Sequence, residues 1–302
     1  MPPLCGGLVE LMKREGGVVK VAVVNFEPVI DGLKPNKRAT LDKIKEFTVK
    51  AAQQGANIVV FPELALTSYS GFPPSMACEL SEPVPGPSTS ELQEVASQCS
   101  AYIAFGMIER AESKLYNSAV LVGPSGVLGV YRKVHLFKPV ESWAEPGSSY
   151  PAVHTPWGLV GLGICRDNYC YPEVARIYGV MGARIHLNLT AFPRFPDVED
   201  YVDFYMTMLG ARSLENTMFI ASANMVGVQG ELSYFGHSMV VGPKPGKMNY
   251  EIYAGPLGEE EGVAVASIDL SWLRNVCMGL KDIFEDRRPD TYSLLVKREG
   301  YS

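Results

Sequence analysis

Long aliphatic runs alternating with stretches of helical spacing set the rhythm of this chain. "VVKVAVVNFEP" is nearly unbroken in β-branched and aliphatic residues and stops at a proline, which predicts a buried strand. In "NKRATLDKIKEFTVKAAQQGA", Leu41, Ile44, Phe47 and Ala51 recur at helical spacing and Gly55 marks the stop, so a helix is predicted. "NIVVFPEL" follows as a second buried strand. The same grammar returns as "WGLVGLGICRD" (strand), "YPEVARIYGVMGA" (helix) and "RIHLNLTAFP" (strand). Gly-Ala followed by a β run and Phe-Pro recurs about 127 positions on, which predicts two related strand-helix-strand halves.

Between the halves, "AYIAFGMIER" and "YNSAVLVGPSGVLGVYRKVHLF" read as strands, with "GPSG" as a hairpin turn. A helical "VDFYMTMLGARSLENT" and strands "MFIASANMVGV", "GHSMVVGP" and "GVAVASIDL" complete the second half. Such long apolar strands require either one sheet buried on both faces or two sheets packed together. The stretches "SEPVPGPSTSE" and "GPKPGKMNYEIYAGPLGEEEG" read as surface connections, because β-like segments resume on either side. The expected organisation is an N-terminal extension (1–17), a single domain (18–292) and a short C-terminal tail (293–302).

Composition narrows the classes. With 302 residues, 47% of them hydrophobic, the chain has ample core to fold without staples. Its six cysteines show no paired spacing, so neither a disulfide framework nor a zinc site is expected, and a reducing cytoplasm is the expected home. The apolar stretch near the N-terminus is broken by Gly, Glu and Lys, and no segment offers about 18 uninterrupted apolar residues, so no export signal and no membrane span are expected. Basic residues are scattered and the net charge is −6, which argues against a nucleic-acid partner. "GPSG" and "GPKPGK" match no phosphate-binding or dinucleotide fingerprint, and no cofactor or metal is expected.

Three strands end in a polar residue where the pattern leaves the core: Glu63, Lys133 and Cys165. In sheets with helical crossovers, active groups gather outside strand ends, so the three can converge on one site. Each has a bland alternative, a solvated strand end for the two charged residues and simple packing for the cysteine. Cys165 stands at a strand-to-helix junction, where a helix N-terminus would stabilise a thiolate. Cys170, just ahead of Pro172 at the first turn of the predicted helix, lacks that geometry and is expected to be structural.

"VVFPELALTSY", "YRKVHLF" and "GLGICRDNYCYPEVAR" resemble the Glu, Lys and Cys motifs of the nitrilase superfamily, the carbon–nitrogen hydrolases. The likeness continues through "ARSLENTMFIASAN", "FGHSMVVGP" and "DRRPDTY", covering nearly everything from Val18 to Tyr292. The resemblance implies an α/β fold, a four-layer α-β-β-α sandwich, assembled as a homodimer or higher homo-oligomer. It implies that Cys165 attacks a small-molecule amide and Glu63 shuttles the proton, while Lys133 and the Arg166 backbone N–H hold the oxyanion. It also implies a second glutamate about eight positions after the lysine, as in aliphatic-amidase-like members; Glu141 stands there, with Glu145 as its competitor. That match provides a base without His135, His154, His186 or His237, and His237 is expected to pack in a strand. The nitrilases proper carry Trp-Glu after the nucleophile, whereas Arg166 and Asp167 follow it here, which favours amides or carbamoyl compounds over nitriles. Tyr69, Arg166 and Phe192 are expected against the substrate, with Tyr169 on the same apolar side; Arg194 is a further candidate for a substrate carboxylate, and Glu173 an alternative partner for Arg166. An acyltransferase or a non-catalytic interaction protein would share the fold.

Overall fold

The computed structural model describes residues 17–32, 34–70, 72–195, 197–275 and 283–297. Cys5, Cys277, the expected extension save Gly17, and the last five residues of the expected tail lie outside them.

Two six-stranded sheets stack face to face. The first is ordered β12-β1-β2-β3-β4-β5, from β1 (Val18–Asn25), β2 (Ile58–Val60), β3 (Tyr102–Ala111), β4 (Lys114–Gly123), β5 (Gly126–Arg132) and β12 (Gly262–Asp269). The second runs β11-β10-β9-β8-β7-β6, from β6 (Val153–Thr155), β7 (Gly158–Ile164), β8 (Ile185–Thr190), β9 (Phe219–Asn224), β10 (Met239–Pro243) and β11 (Tyr250–Ala254). In each sheet three parallel strands form the middle, β1-β2-β3 and β7-β8-β9, and antiparallel strands flank them.

Period-two alternation explains why the strands read as unbroken apolar runs. Along β1, Val19, Val21 and Val23 face the opposing sheet and pack in one cluster with Leu162, Ile164, Leu187 and Leu189. Ala22 and Val24 point the other way, into a second cluster with Leu41, Ile44 and Ala51 of helix α1 (Lys37–Gln53) and Leu92 and Ala96 of α2 (Pro87–Cys99). The second sheet is covered by α4 (Pro172–Met181), through Val174 and Tyr178, and by α5 (Tyr201–Asn216), through Tyr205 and Leu209. The result is the four-layer α-β-β-α sandwich, with the repeated halves on opposite sheets.

Local chemistry fixes both ends of α1, and Gly55 is the stop that the sequence predicts. Asn36 caps α1 by accepting from Ala39 N at 2.9 Å, and Gly55 leaves it at a φ of +83°. Three features differ. Residues 87–99 form α2, a helix hidden by its polar composition; Pro87 opens it and Leu92 and Ala96 supply its apolar stripe. Ser81 and Glu82, in the supposed surface connection ahead of it, are buried, with the Glu82 carboxylate accepting from Ser88 N and Oγ at 2.9 and 2.8 Å. The connection after Pro243 contains β11, paired with β10.

Candidate active site

The strand ends meet. Glu63 follows β2 in a tight turn that lies against β3, where a Cβ on Gly106 would come within 2.1 Å of Leu64 N, so glycine is required for that approach. Lys133 follows β5, its N–H bound to Asn117 O on β4 at 2.8 Å. Cys165 ends β7 and opens a one-turn helix, α3 (Arg166–Tyr169), at φ 45° and ψ −107°, a strained conformation for a side-chain-bearing residue. Glu141 closes a turn in which its N–H bonds Phe137 O at 2.9 Å.

Glu63, Lys133 and Glu141 are fully buried. Lys133 Nζ lies 2.6 Å from Glu63 Oε1 and 3.0 and 2.9 Å from the two oxygens of Glu141. Asn117 Nδ2 donates to Glu63 Oε1 at 2.7 Å and also to Glu141 Oε1. Ala191 N, beyond the end of β8, donates to Glu63 Oε2 at 3.0 Å, so the second sheet helps hold a carboxylate carried by the first. Glu145, the competitor, is exposed and outside this cluster.

The charges explain the protonation states. Burial, reinforced by the Glu141 charge, raises the Glu63 carboxyl above its ordinary range, although Lys133 and Asn117 pull against it. Burial alone would depress Lys133, but Glu63, Tyr69 and Glu141 keep its ammonium well above the usual value. The Cys165 thiol is pushed up as well, by burial first and then by the Glu63 charge. This corrects the expectation of a thiolate resting on a helix N-terminus: a single turn cannot offset burial beside a carboxylate, and the sulfur rests as a thiol next to a base.

Cys165 lies in a cavity of about 190 Å³ that Tyr69, Lys133, Arg166 and Phe192 also line. Arg166 has no carboxylate partner among the described residues; its side chain bonds Tyr171, not the expected Glu173. Arg194 is paired with Glu259 and bonds the Tyr201 hydroxyl at 2.6 Å. Cys170 is exposed and lines the same cavity, so it is no packing residue. His237 sits at φ 57° ahead of β10, outside any strand, with Nδ1 against Phe235 O at 2.7 Å. His186 is buried next to Asn168, and burial lowers its pKa to about 3.

Two supports escaped the sequence reading. Asn117 is one. The other is Asp167, fully buried, whose carboxylate accepts from Tyr131 OH at 2.7 Å, from His135 N at 2.9 Å and from Val134 N at 3.4 Å. His135 Nδ1 lies 2.7 Å from the same carboxylate, with its ring stacked on Tyr171. Asp167 thus grips the chain on both sides of Lys133 from a point two residues beyond Cys165, fixing the register of cation and nucleophile. Among the described residues no cluster of His, Cys, Asp and Glu could hold a metal ion, and no helix is long and apolar enough to cross a membrane.

Residues 20–276 match the carbon–nitrogen hydrolase family. The chain is 35% identical over 280 residues to a nitrilase of Pyrococcus abyssi, covering 91% of this chain and 99% of that protein. It is 33% identical over 267 residues to the omega-amidase NIT2 of Homo sapiens, covering 83% and 90%. The solved structure of the NitN amidase from Nesterenkonia sp. AN1 superposes with a TM-score of 0.74 at 25% identity, over 92% of this chain and all of that one. A matched domain of this extent, on the same four-layer fold, places the chain in the carbon–nitrogen hydrolase family, the nitrilase superfamily.

Proposed function

We propose that Cys165, Glu63, Lys133 and Glu141 cleave a small primary amide to ammonia and a carboxylic acid. One observation carries this: a single buried ammonium held between two buried carboxylates beside a thiol at the end of a cavity. Cys165 Sγ attacks the carbonyl carbon as its proton passes to Glu63, whose raised pKa suits it to the transfer. The oxyanion is met by Lys133 and the Arg166 N–H. No side chain caps the turn at Cys165, which supports that amide as a donor. Lys133 keeps its two contacts with Glu141, so the N–H that faces Glu63 can turn to the oxyanion once Glu63 has taken the thiol proton. As the C–N bond breaks, Glu63 returns the proton to nitrogen and ammonia leaves. Water then adds to the thioester, giving a proton to Glu63; the C–S bond breaks, the acid departs and the thiol regains its proton.

Tyr69, Arg166 and Phe192 are assigned to the substrate side of this site. The free, exposed thiols of Cys78 and Cys170 support a reducing, cytoplasmic setting. Association through α4 into a homodimer is supported by Val180 and Met181, 46% and 43% exposed, whereas Val174 and Tyr178 of the same helix are consumed by the core. Sedimentation at micromolar concentration showing only a 33.0 kDa species would remove that assembly. The function itself is tested by incubating the protein with amides and nitriles, measuring ammonia, and seeking an acyl adduct on Cys165 by mass spectrometry. Cys165→Ala must abolish both signals; ammonia release from that variant at the unaltered rate would sink the assignment.

A further inference from the structure

The C–N chemistry uses one side of the cavity and leaves the rest of its wall unexplained. That wall is aromatic, built from Tyr69, Phe137, Tyr169, Phe192, Phe195 and Phe204. Two of the rings are fixed before any ligand arrives. The Tyr169 hydroxyl accepts from Asn188 Nδ2 at 2.8 Å, and Asn188 in turn donates to Ser222 Oγ at 2.7 Å. Phe192 stacks on Tyr169 with centroids 5.3 Å apart and planes 24° apart. Phe195 and Phe204 meet Phe192 edge-on at 5.9 and 6.0 Å, yet they remain 38% and 43% exposed. Rings at these separations and tilts present both faces and edges to an incoming ring, the geometry that aromatic pairs prefer. A volume of about 190 Å³ suits one ring and a short linker; an apolar cavity of about 150 Å³ already holds benzene.

Arg166 supplies a second, independent feature. Its guanidinium carbon lies 5.9 Å from the Phe137 ring centroid, and its Nε is buried with no acceptor. By contrast, Arg132, Arg194 and Arg212 each pair with a glutamate. A buried donor without an acceptor is costly in an apolar wall, and here it borders the cavity that receives the substrate.

We propose that the cavity selects amides whose acyl group carries an aromatic ring, and that Arg166 Nε–H takes a carboxylate oxygen borne on that group. The inference rests on the amidase reading above and adds the chemistry of the acyl side. It is tested by comparing kcat/KM for ammonia release from four amides: butanamide, succinic acid monoamide, 3-phenylpropanamide and phenylsuccinic acid monoamide. The aryl compounds should exceed their ring-free counterparts at least tenfold, and each carboxylate should exceed its neutral partner by a similar factor. Phe192→Leu should shrink the ring preference several-fold, and Arg166→Met should bring the carboxylate preference close to one. Ring-free amides turned over as fast as aryl amides would overturn the aromatic slot; an unaltered carboxylate preference in Arg166→Met would overturn the Arg166 contact. Binding of the four product acids to the Cys165→Ala protein reads the same two preferences without turnover. Failure of the amidase reading therefore shows separately, as absence of ammonia and of a Cys165 adduct with every amide.

Discussion

Replacing Glu141 by glutamine keeps the shape of the site and removes one charge. Each oxygen of this carboxylate receives two donors: Oε1 faces Asn117 Nδ2 and Lys133 Nζ, and Oε2 faces Phe137 N and Lys133 Nζ. Whichever way a glutamine amide is turned, its NH₂ group therefore points at two donors. Lys133 retains Glu63 as a partner, so the loss should sit near the lower end of the roughly 3–5 kcal/mol typical of a broken buried pair. With its second anchor gone, the ammonium is drawn toward Glu63, misplacing the oxyanion donor and weakening the base together. A fall in turnover of about 10²–10³-fold is expected, equivalent to about 3–4 kcal/mol of barrier at 1.36 kcal/mol per decade. The assay is steady-state ammonia release, with thermal unfolding to confirm folding and iodoacetamide labelling to confirm that Cys165 is still present and reactive. Glu145→Gln is the control, since that side chain is exposed and its position is tied through a backbone bond to Leu115 O at 2.8 Å. Turnover within about threefold of the parent for Glu141→Gln, a tenth of the smallest expected loss on the 10² scale or less, would refute the reasoning; so would collapse in Glu145→Gln.

Further outcomes follow from the same geometry. Cys170→Ala should retain hydrolysis, while Cys165→Ala should lose it and form no thioester by mass spectrometry. Because Cys170 is exposed and Cys165 buried, labelling alone ranks accessibility and turnover must decide the nucleophile. Asp167→Asn should turn an NH₂ group toward either the Tyr131 and Val134 donors or the His135 N–H, lowering kcat about tenfold and costing roughly 1.5–3 kcal/mol in urea unfolding; unchanged kcat would deny it a positioning role. The base must be ionised to accept the thiol proton, and the Glu63 pKa is raised, so kcat/KM should fall with decreasing pH above the range of about 4.3 normal for glutamate. No alkaline limb from a thiol near 8.5 is expected, because burial and Glu63 push Cys165 upward; a profile measured from about pH 4 to 9 that is bell-shaped, or flat at its acid end, would contradict this.

How much of this was legible depends on where the information resides. Glu63, Lys133 and Cys165 could be picked out because each interrupts an apolar run as its strand ends, and parallel strands collect such endings at one side of a sheet. Glu141 lies in a loop, with no periodicity to mark it, and only its spacing in the resembled motif singled it out. Asn117 left a trace in "YNSAVLVG", where Asn117 and Ser118 interrupt an apolar strand, but its two carboxylate partners lie 54 and 24 positions away. Asp167 reads as an ordinary first-turn acid; its role comes from β5 and the loop beyond it being brought against α3. The thiol was misjudged for the same reason: a helix start is local and visible, whereas the burial and the opposing carboxylate that outweigh it arise only when the two sheets stack.

That stacking also supplies a reason for three charged groups where the proton transfer itself needs one base. In the proposed cycle Glu63 alternates between carboxylate and acid, and each protonation removes one of the negative charges facing Lys133. Were Glu63 the sole partner, the buried ammonium would be left without a counter-charge whenever the base was loaded, at a cost of several kcal/mol in so dry a site. Glu141 prevents this. Its carboxylate holds Lys133 through both oxygens and is itself held by Asn117 and the Phe137 N–H, so the cation stays charged and in place throughout. When Glu63 takes the thiol proton, the Lys133 N–H that had faced it is released at the moment negative charge develops on the carbonyl oxygen. Proton transfer and oxyanion stabilisation are then coupled through one lysine, and the pair Glu63 and Glu141 is a division of labour: one carboxylate changes state so that the chemistry can proceed, and the other keeps the lysine anchored so that the site survives the change.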